Sequence, residues 1–160
     1  MKRLKGIFVA ITAITALLSV SSCLKSHSPC QPLKPSSEES QIVAYATANN
    51  INATKDSSGL YYQIIDSGTG VKPTITSKVF ISYTGKFLNG TGFDQQSDPS
   101  KTGWNLSGLI EGWQIGLPLI RKGGHIKLIV PSAMAYGCTG YGSIPPNEIL
   151  FFDITLTDVQ

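Results

Sequence analysis

From Leu60 to the C-terminus the apolar residues recur mainly with a period of two, the spacing of half-buried strands. Leu60 to Ile65 alternates, and Ser67-Gly68-Thr69-Gly70 turns the chain. Val79, Ile81 and Tyr83 then line one face of a second strand, and Asn89-Gly90 followed by Thr91-Gly92 predicts a tight hairpin connection after it. Ile126, Leu128 and Val130 give a third inward face, closed by Pro131. Pro145-Pro146 ends a loop, because each ring fixes φ and removes a backbone donor. A last strand follows from Ile149, with Leu150, Phe152, Ile154 and Leu156 on one face and Phe151, Asp153 and Thr155 on the other. Helical spacing interrupts this pattern twice. Trp113, Leu117 and Ile120 predict a helix over 111–120, limited to two or three turns by Pro118. Upstream, Ile42, Tyr45, Ala46 and Asn49 share a face of a short helix over 38–49, with Ser36 and Ser37 as caps and Glu38 and Glu39 in its first turn. Such a helix docks on the globular part and is too short to serve as a dimerisation arm. Residues from Asp56 onward are enough for one domain with its own core.

Ahead of these elements the chain changes character. Lys2, Arg3 and Lys5 precede an apolar run from Ile7 to Val20, and Val20-Ser21-Ser22-Cys23 follows. The run is shorter than the roughly 20 residues of a membrane span. This segment resembles the signal and lipobox of bacterial lipoproteins, which implies residues 1–22 as signal peptide and Cys23 as the lipidated residue. Residues 23–37 are rich in Ser, Pro, Lys and Gln, with Pro29, Pro32 and Pro35 spaced to keep a tether extended and exposed. A short helix and linker over 38–58 lead into the domain at 59–160. Of the 13 Lys and Arg, three lie in the signal, leaving ten against ten Asp and Glu. A neutral surface argues against nucleic acid, whose binding rests on neutralised phosphates. With Cys23 assigned to lipid, Cys30 and Cys138 are left; export would let them pair, though each can equally stay free or bond to another chain. His27 and His125 make no metal-ligand spacing, and no metal site is expected.

No nucleophilic elbow, phosphate loop or paired catalytic carboxylates stand out. Aromatic residues beside glycine turns recur instead: Tyr83-Thr84-Gly85, Gly92-Phe93-Asp94, Gly112-Trp113, Ala135-Tyr136-Gly137 and Phe151-Phe152-Asp153. Taken singly, each reads as core packing. Taken together, YTG, NGTGFD, LIEGW, AYG, IPP and FFD fall in the order and spacing of the FKBP-type peptidyl-prolyl cis-trans isomerases, and the resemblance runs from about Gly59 to Val159. The lipobox, tether and short helix are also similar to lipoprotein members of that family in bacterial envelopes.

The resemblance implies an α+β fold, an antiparallel sheet of five or six strands wrapped around one short helix, with an aromatic pocket between them. It implies Trp113 as the floor under a substrate proline ring, Tyr83, Phe93 and Phe152 as walls, and Leu109 and Ile110 at the rim, with the Ile110 N–H binding a substrate carbonyl. Tyr136 matches a tyrosine whose hydroxyl also reaches a carbonyl, Asp94 the acid beside the pocket, and Ile144 an apolar loop contact; Asp94 is read as orienting Tyr136 or a neighbouring loop without transferring a proton. Gln95–Gly103 holds no arginine to pair with Asp94, either Trp104 or Leu106 stands in for the usual aromatics, and Tyr141 lies where a histidine is common. The same resemblance implies no cofactor, proline-containing polypeptides as substrates, macrolides as inhibitors, and a monomer. The lipobox implies a membrane attachment through Cys23, at the periplasmic face of the outer membrane or the cell surface.

Overall fold

The computed structural model describes residues 30–160. The expected signal segment, the lipidation of Cys23, His27 and the first part of the tether lie outside the described residues. Strands β1 (Thr54–Lys55), β2 (Tyr61–Asp66), β3 (Lys78–Phe87), β4 (Gly92–Gln96), β5 (Trp104–Asn105), β6 (His125–Val130) and β7 (Leu150–Val159) form one antiparallel sheet. Its order is β1-β2-β6-β7-β3-β4, with β5 pairing the start of β3 on the edge that β4 occupies further along. Between those two partners the Ile81 N–H has no strand to bond, and Thr102 Oγ1 accepts it at 2.9 Å. This antiparallel sheet around a short helix is the architecture that the family resemblance implied.

Alternation decides which face each side chain serves. Val79, Ile81, Ile126, Leu128, Val130, Ile154 and Leu156 are buried on the inner face with Leu117 and Ile120. Each such side chain contributes about 1.5–3 kcal/mol of burial. Helix α2 (Glu111–Gly116) crosses that face, and the chain tightens into a 3-10 turn over Leu117–Leu119. The helix expected to reach Ile120 thus changes form at Leu117, one residue before Pro118, whose missing N–H cannot continue the α pattern. α2 lies close on β6 because Gly112 has no side chain: a Cβ there would stand 2.5 Å from Val130 Cγ1. Val130 is β-branched, fully buried and unable to turn aside. Gly112→Ala should therefore lower the urea midpoint. Overpacking costs about 1–3 kcal/mol, which exceeds the roughly 1 kcal/mol gained in helix propensity.

The outer face carries a second, smaller core. Tyr61, Ile129 and Phe151 stand side by side across β2, β6 and β7, and helix α1 (Glu39–Ala48) covers them with Ile42 and Ala46. Tyr45 tilts onto Phe151 at 5.6 Å between ring centroids. The helix docks as its spacing predicts, but its cap differs. Pro35 starts a 3-10 turn over Pro35–Ser37, in which Ser37 Oγ donates to Lys34 O at 2.7 Å and caps nothing. Glu38 becomes the N-cap residue without capping through its side chain. That side chain is 2% exposed and accepts the Ser132 N–H at 2.9 Å, 94 residues away. The described part of the expected tether is likewise fastened: Cys30 forms a disulfide with Cys138, Cα to Cα 5.7 Å. Of the three states open to these cysteines on sequence, the fold selects the pairing.

Candidate functional site

A cavity of about 700 Å³ opens between α2, the inner face of β3 and β7, and the loop from Ser132 to Ile149. That volume suits a small peptide segment. Trp113 forms its floor at 5% exposure. α2 delivers the indole there because Gly112, beside it, seats the helix on Val130. Tyr83 and Phe152 meet the indole edge to face, each at 5.0 Å between centroids. Phe93 stands edge-on to Phe152 at 5.7 Å, and Trp104 closes the other side, 6.1 Å from Tyr83. These separations are those that aromatic quadrupoles favour. Gly85, opposite Phe152 in the register, leaves room for both phenylalanines: a Cβ would lie 2.7 Å from Phe93 and 3.1 Å from Phe152.

Polar groups sit at chosen points of this apolar wall. The Tyr83 hydroxyl donates to Asp94 Oδ2 at 2.6 Å. Asp94 thus holds Tyr83, where the sequence reading expected it to orient Tyr136 or a neighbouring loop. Burial first, and then the bond to Asp94, push the Tyr83 hydroxyl well above the ordinary tyrosine range. Burial and the nearby Asp94 charge raise Tyr136 as well. Both remain proton donors. Among the described residues the Tyr136 hydroxyl donates to no protein acceptor, nor does the Ile110 N–H. Both residues line the cavity, and neither hydrogen is spent on a protein acceptor. Ile110 is the N-cap residue of α2, its carbonyl taken by the Trp113 and Gln114 N–H groups. Gln114 Nε2 in turn donates to Leu109 O at 2.7 Å, bracing the rim segment.

Every residue expected to form the pocket lines this cavity except Ile144: Tyr83, Phe93, Asp94, Trp104, Leu109, Ile110, Trp113, Tyr136, Tyr141 and Phe152 all do. Ile144 is buried in the core beneath the loop and exchanges backbone hydrogen bonds with Tyr141 at 2.8 and 2.9 Å. It supports the rim from behind instead of facing the cavity. Of the two candidates left open by the short segment before α2, Trp104 lines the cavity, whereas Leu106 is fully buried in the core. Tyr141, 70% exposed, lies flat against Tyr136 at 5.2 Å and 14°. Lys78, Gly103, Asn105 and Gly108 also line the cavity. Sequence spacing carries no sign of them, since the β3–β5 register brings Lys78 opposite Asn105. Gln114 has no sequence signal either: its role depends on where the 107–109 carbonyls lie.

The model for FKBP-type peptidyl-prolyl cis-trans isomerases matches residues 70–157, more than half of the chain. The chain belongs to this family. Its FKBP-type domain is 41% identical over 105 residues to FkpA of Escherichia coli K12, a stretch that covers 65% of this chain and 39% of FkpA. The crystal structure of E. coli FkpA superposes with a TM-score of 0.67 at 34% identity, over 79% of this chain and 61% of that one. A peptidyl-prolyl cis-trans isomerase from Pseudomonas syringae pv. tomato gives a TM-score of 0.64 at 30% identity, over 77% of this chain and 96% of its own. The chain matches about two fifths of the E. coli relative's length, so the comparison bears on the FKBP-type domain.

Proposed function

We propose that the chain catalyses cis-trans isomerisation of X-Pro bonds in polypeptides, without cofactor or covalent intermediate. The observation that carries this reading is an aromatic cavity floored by Trp113 and lined by two residues with unspent donors, the Ile110 N–H and the Tyr136 hydroxyl. Rotation about an X-Pro bond has to break amide resonance, a barrier of about 18–20 kcal/mol. The twisted amide carries less charge separation than the planar one, so water favours the planar form and an apolar enclosure removes that preference. The prolyl ring rests on Trp113 between Tyr83, Phe93 and Phe152, while the two donors hold flanking carbonyls in a turn that leaves the bond free to rotate. About 4 kcal/mol of differential binding accounts for a thousandfold acceleration. Asp94 transfers no proton; it fixes the Tyr83 ring as a wall. A chromogenic proline-peptide assay on the full chain tests this, and a rate equal to background from a folded sample would refute it.

Because both tyrosines hold their protons through the neutral range, kcat/KM should stay level from about pH 6 to about pH 9. A bell-shaped profile within that window would point to an acid–base step. The Tyr83 pKa lies above its unfolded value of about 10, so its contribution to stability is complete below about pH 10 and lost as pH rises through the folded value. Tyr83→Phe should reduce the loss of urea resistance that the wild type suffers at alkaline pH.

We further infer that the enzyme is a lipoprotein of the cell envelope, acylated on Cys23, that serves exported polypeptides. The signal and lipobox pattern over 1–23 supports this. So does the Cys30–Cys138 disulfide, which belongs in an oxidising compartment. Mass spectrometry of protein taken from membranes should find acyl groups on Cys23; an unmodified thiol there would overturn the reading.

A further inference from the structure

Residues 30–38 form a strap that grips the rim loop at two points. At one end Cys30 is bonded to Cys138. At the other, the buried Glu38 carboxylate holds the Ser132 N–H. Between these anchors the Pro35–Ser37 turn packs on the Ser132–Met134 turn. Pro35 also fills the space that a side chain at Gly59 would need. The two anchor points in the loop bracket Tyr136. Within the loop the Tyr136 carbonyl accepts from Thr139 Oγ1 at 3.0 Å and from the Gly140 N–H at 3.2 Å, the residues on either side being Cys138 and Tyr141. The rings of Tyr136 and Tyr141, on either side of this segment, stack on each other.

Beyond its own backbone bonds, among them the Asn147 N–H to Gly137 O at 2.8 Å across its base, little fastens the loop to the rest of the domain. From Gly137 to Glu148 only Ile144 is buried, and a segment with few apolar contacts opens easily unless it is tied from outside. The strap itself lines no part of the cavity, so its influence passes through the loop alone. Trp113, Phe152, Tyr83 and Phe93, by contrast, are carried by α2, β7, β3 and β4 and have no need of it.

We propose that the Cys30–Cys138 disulfide is a positioning element of the site, holding the rim tyrosines Tyr136 and Tyr141 where they engage the peptide. Breaking it loosens peptide binding and leaves the floor and walls unchanged. The proposal rests on the prolyl-isomerase reading for its rate measurement, and on peptide affinity where that reading fails.

The test compares the full chain with the Cys30→Ser, Cys138→Ser double variant, and with wild type reduced by dithiothreitol, at a temperature where far-ultraviolet circular dichroism shows all three folded. With a tetrapeptide holding one X-Pro bond, KM should rise about threefold to tenfold in the reduced and serine forms, with kcat within about twofold. Tyr136→Phe should also cost less in the double variant than in the wild type, since the hydroxyl is already misplaced there. Re-oxidation of the reduced wild type should restore KM. Equal KM in oxidised and disulfide-free proteins would overturn the proposal, even if the melting temperature fell, because the bridge would then be structural only. Should the oxidised wild type prove inactive, the isomerase reading fails by itself. The same comparison then runs on tetrapeptide affinity from tryptophan fluorescence, where equal affinities would again refute the positioning role.

Discussion

Trp113→Ala will lower both stability and activity more than any other single change in the cavity. The indole is 5% exposed and touches Tyr83 and Phe152 edge to face. Removing it leaves a void at the meeting point of α2, β3 and β7, and large-to-small changes of this kind cost about 3–5 kcal/mol. The floor under the prolyl ring disappears with it, so kcat/KM should fall by about a hundredfold or more. Because the alanine variant is open to outright unfolding, Trp113→Leu separates the two effects. Leucine keeps an apolar plug and much of the stability but offers no flat surface, and its urea midpoint should stay near wild type while kcat/KM still drops at least about tenfold. A leucine variant with wild-type kcat/KM would mean that the indole serves packing alone.

Loss of the disulfide is the second large effect, on stability in its own right. The bond closes a sequence separation of 108 residues, nearly the whole described domain, so it removes much of the freedom of the unfolded chain. A loop of about 100 residues corresponds to as much as about 4.7 kcal/mol on the chain-entropy argument, with measured values more often about 2–4 kcal/mol. For a domain of this size that is a fall in melting temperature of roughly 10 °C, seen by calorimetry on the Cys30→Ser, Cys138→Ser double variant. Glu38→Ala should add to it, because the Ser132 N–H then lies buried without an acceptor, a penalty of about 1–3 kcal/mol. An unchanged melting temperature in the double variant would show that the bridge is not formed in solution.

Much of the fold is legible in the order of residues, and the reason is local. Val79, Ile81 and Tyr83, or Leu150, Phe152, Ile154 and Leu156, alternate because the inner face of each strand meets the main core along its length, while the outer face is covered only where α1 packs on Phe151. The site is legible for another reason: its aromatic-glycine motifs, each of which reads singly as core packing, fall together in the order of the FKBP-type family, and the structure shows Gly85 in β3 and Gly112 in α2 making room for rings and helix. Trp113, Phe93 and Phe152 could be placed together from the order of those motifs. Ile144 could not be placed rightly, since a buried support and a rim contact look alike in a loop sequence. The bond of Tyr83 to Asp94 is equally invisible, because it depends on the β3–β4 register, which sets Gly85 opposite Asp94 and brings the neighbouring Tyr83 within reach.

By itself the sequence determined the strands and their inward faces, the hairpin at Asn89-Gly90, the short helices with the break near Pro118, and the aromatic set of the cavity. All but the last follow from side-chain chemistry within a few residues; the aromatic set follows from the order of motifs along the domain, through their resemblance to the family. Tertiary structure alone decided the long-range partners. It seated α1 over the Tyr61, Ile129 and Phe151 row, turned Glu38 inward to Ser132, joined Cys30 to Cys138, and left the Ile110 and Tyr136 donors without a protein acceptor. These contacts span many tens of residues, and no local period encodes them. They exist because a buried polar group has to find a partner wherever the folded chain supplies one.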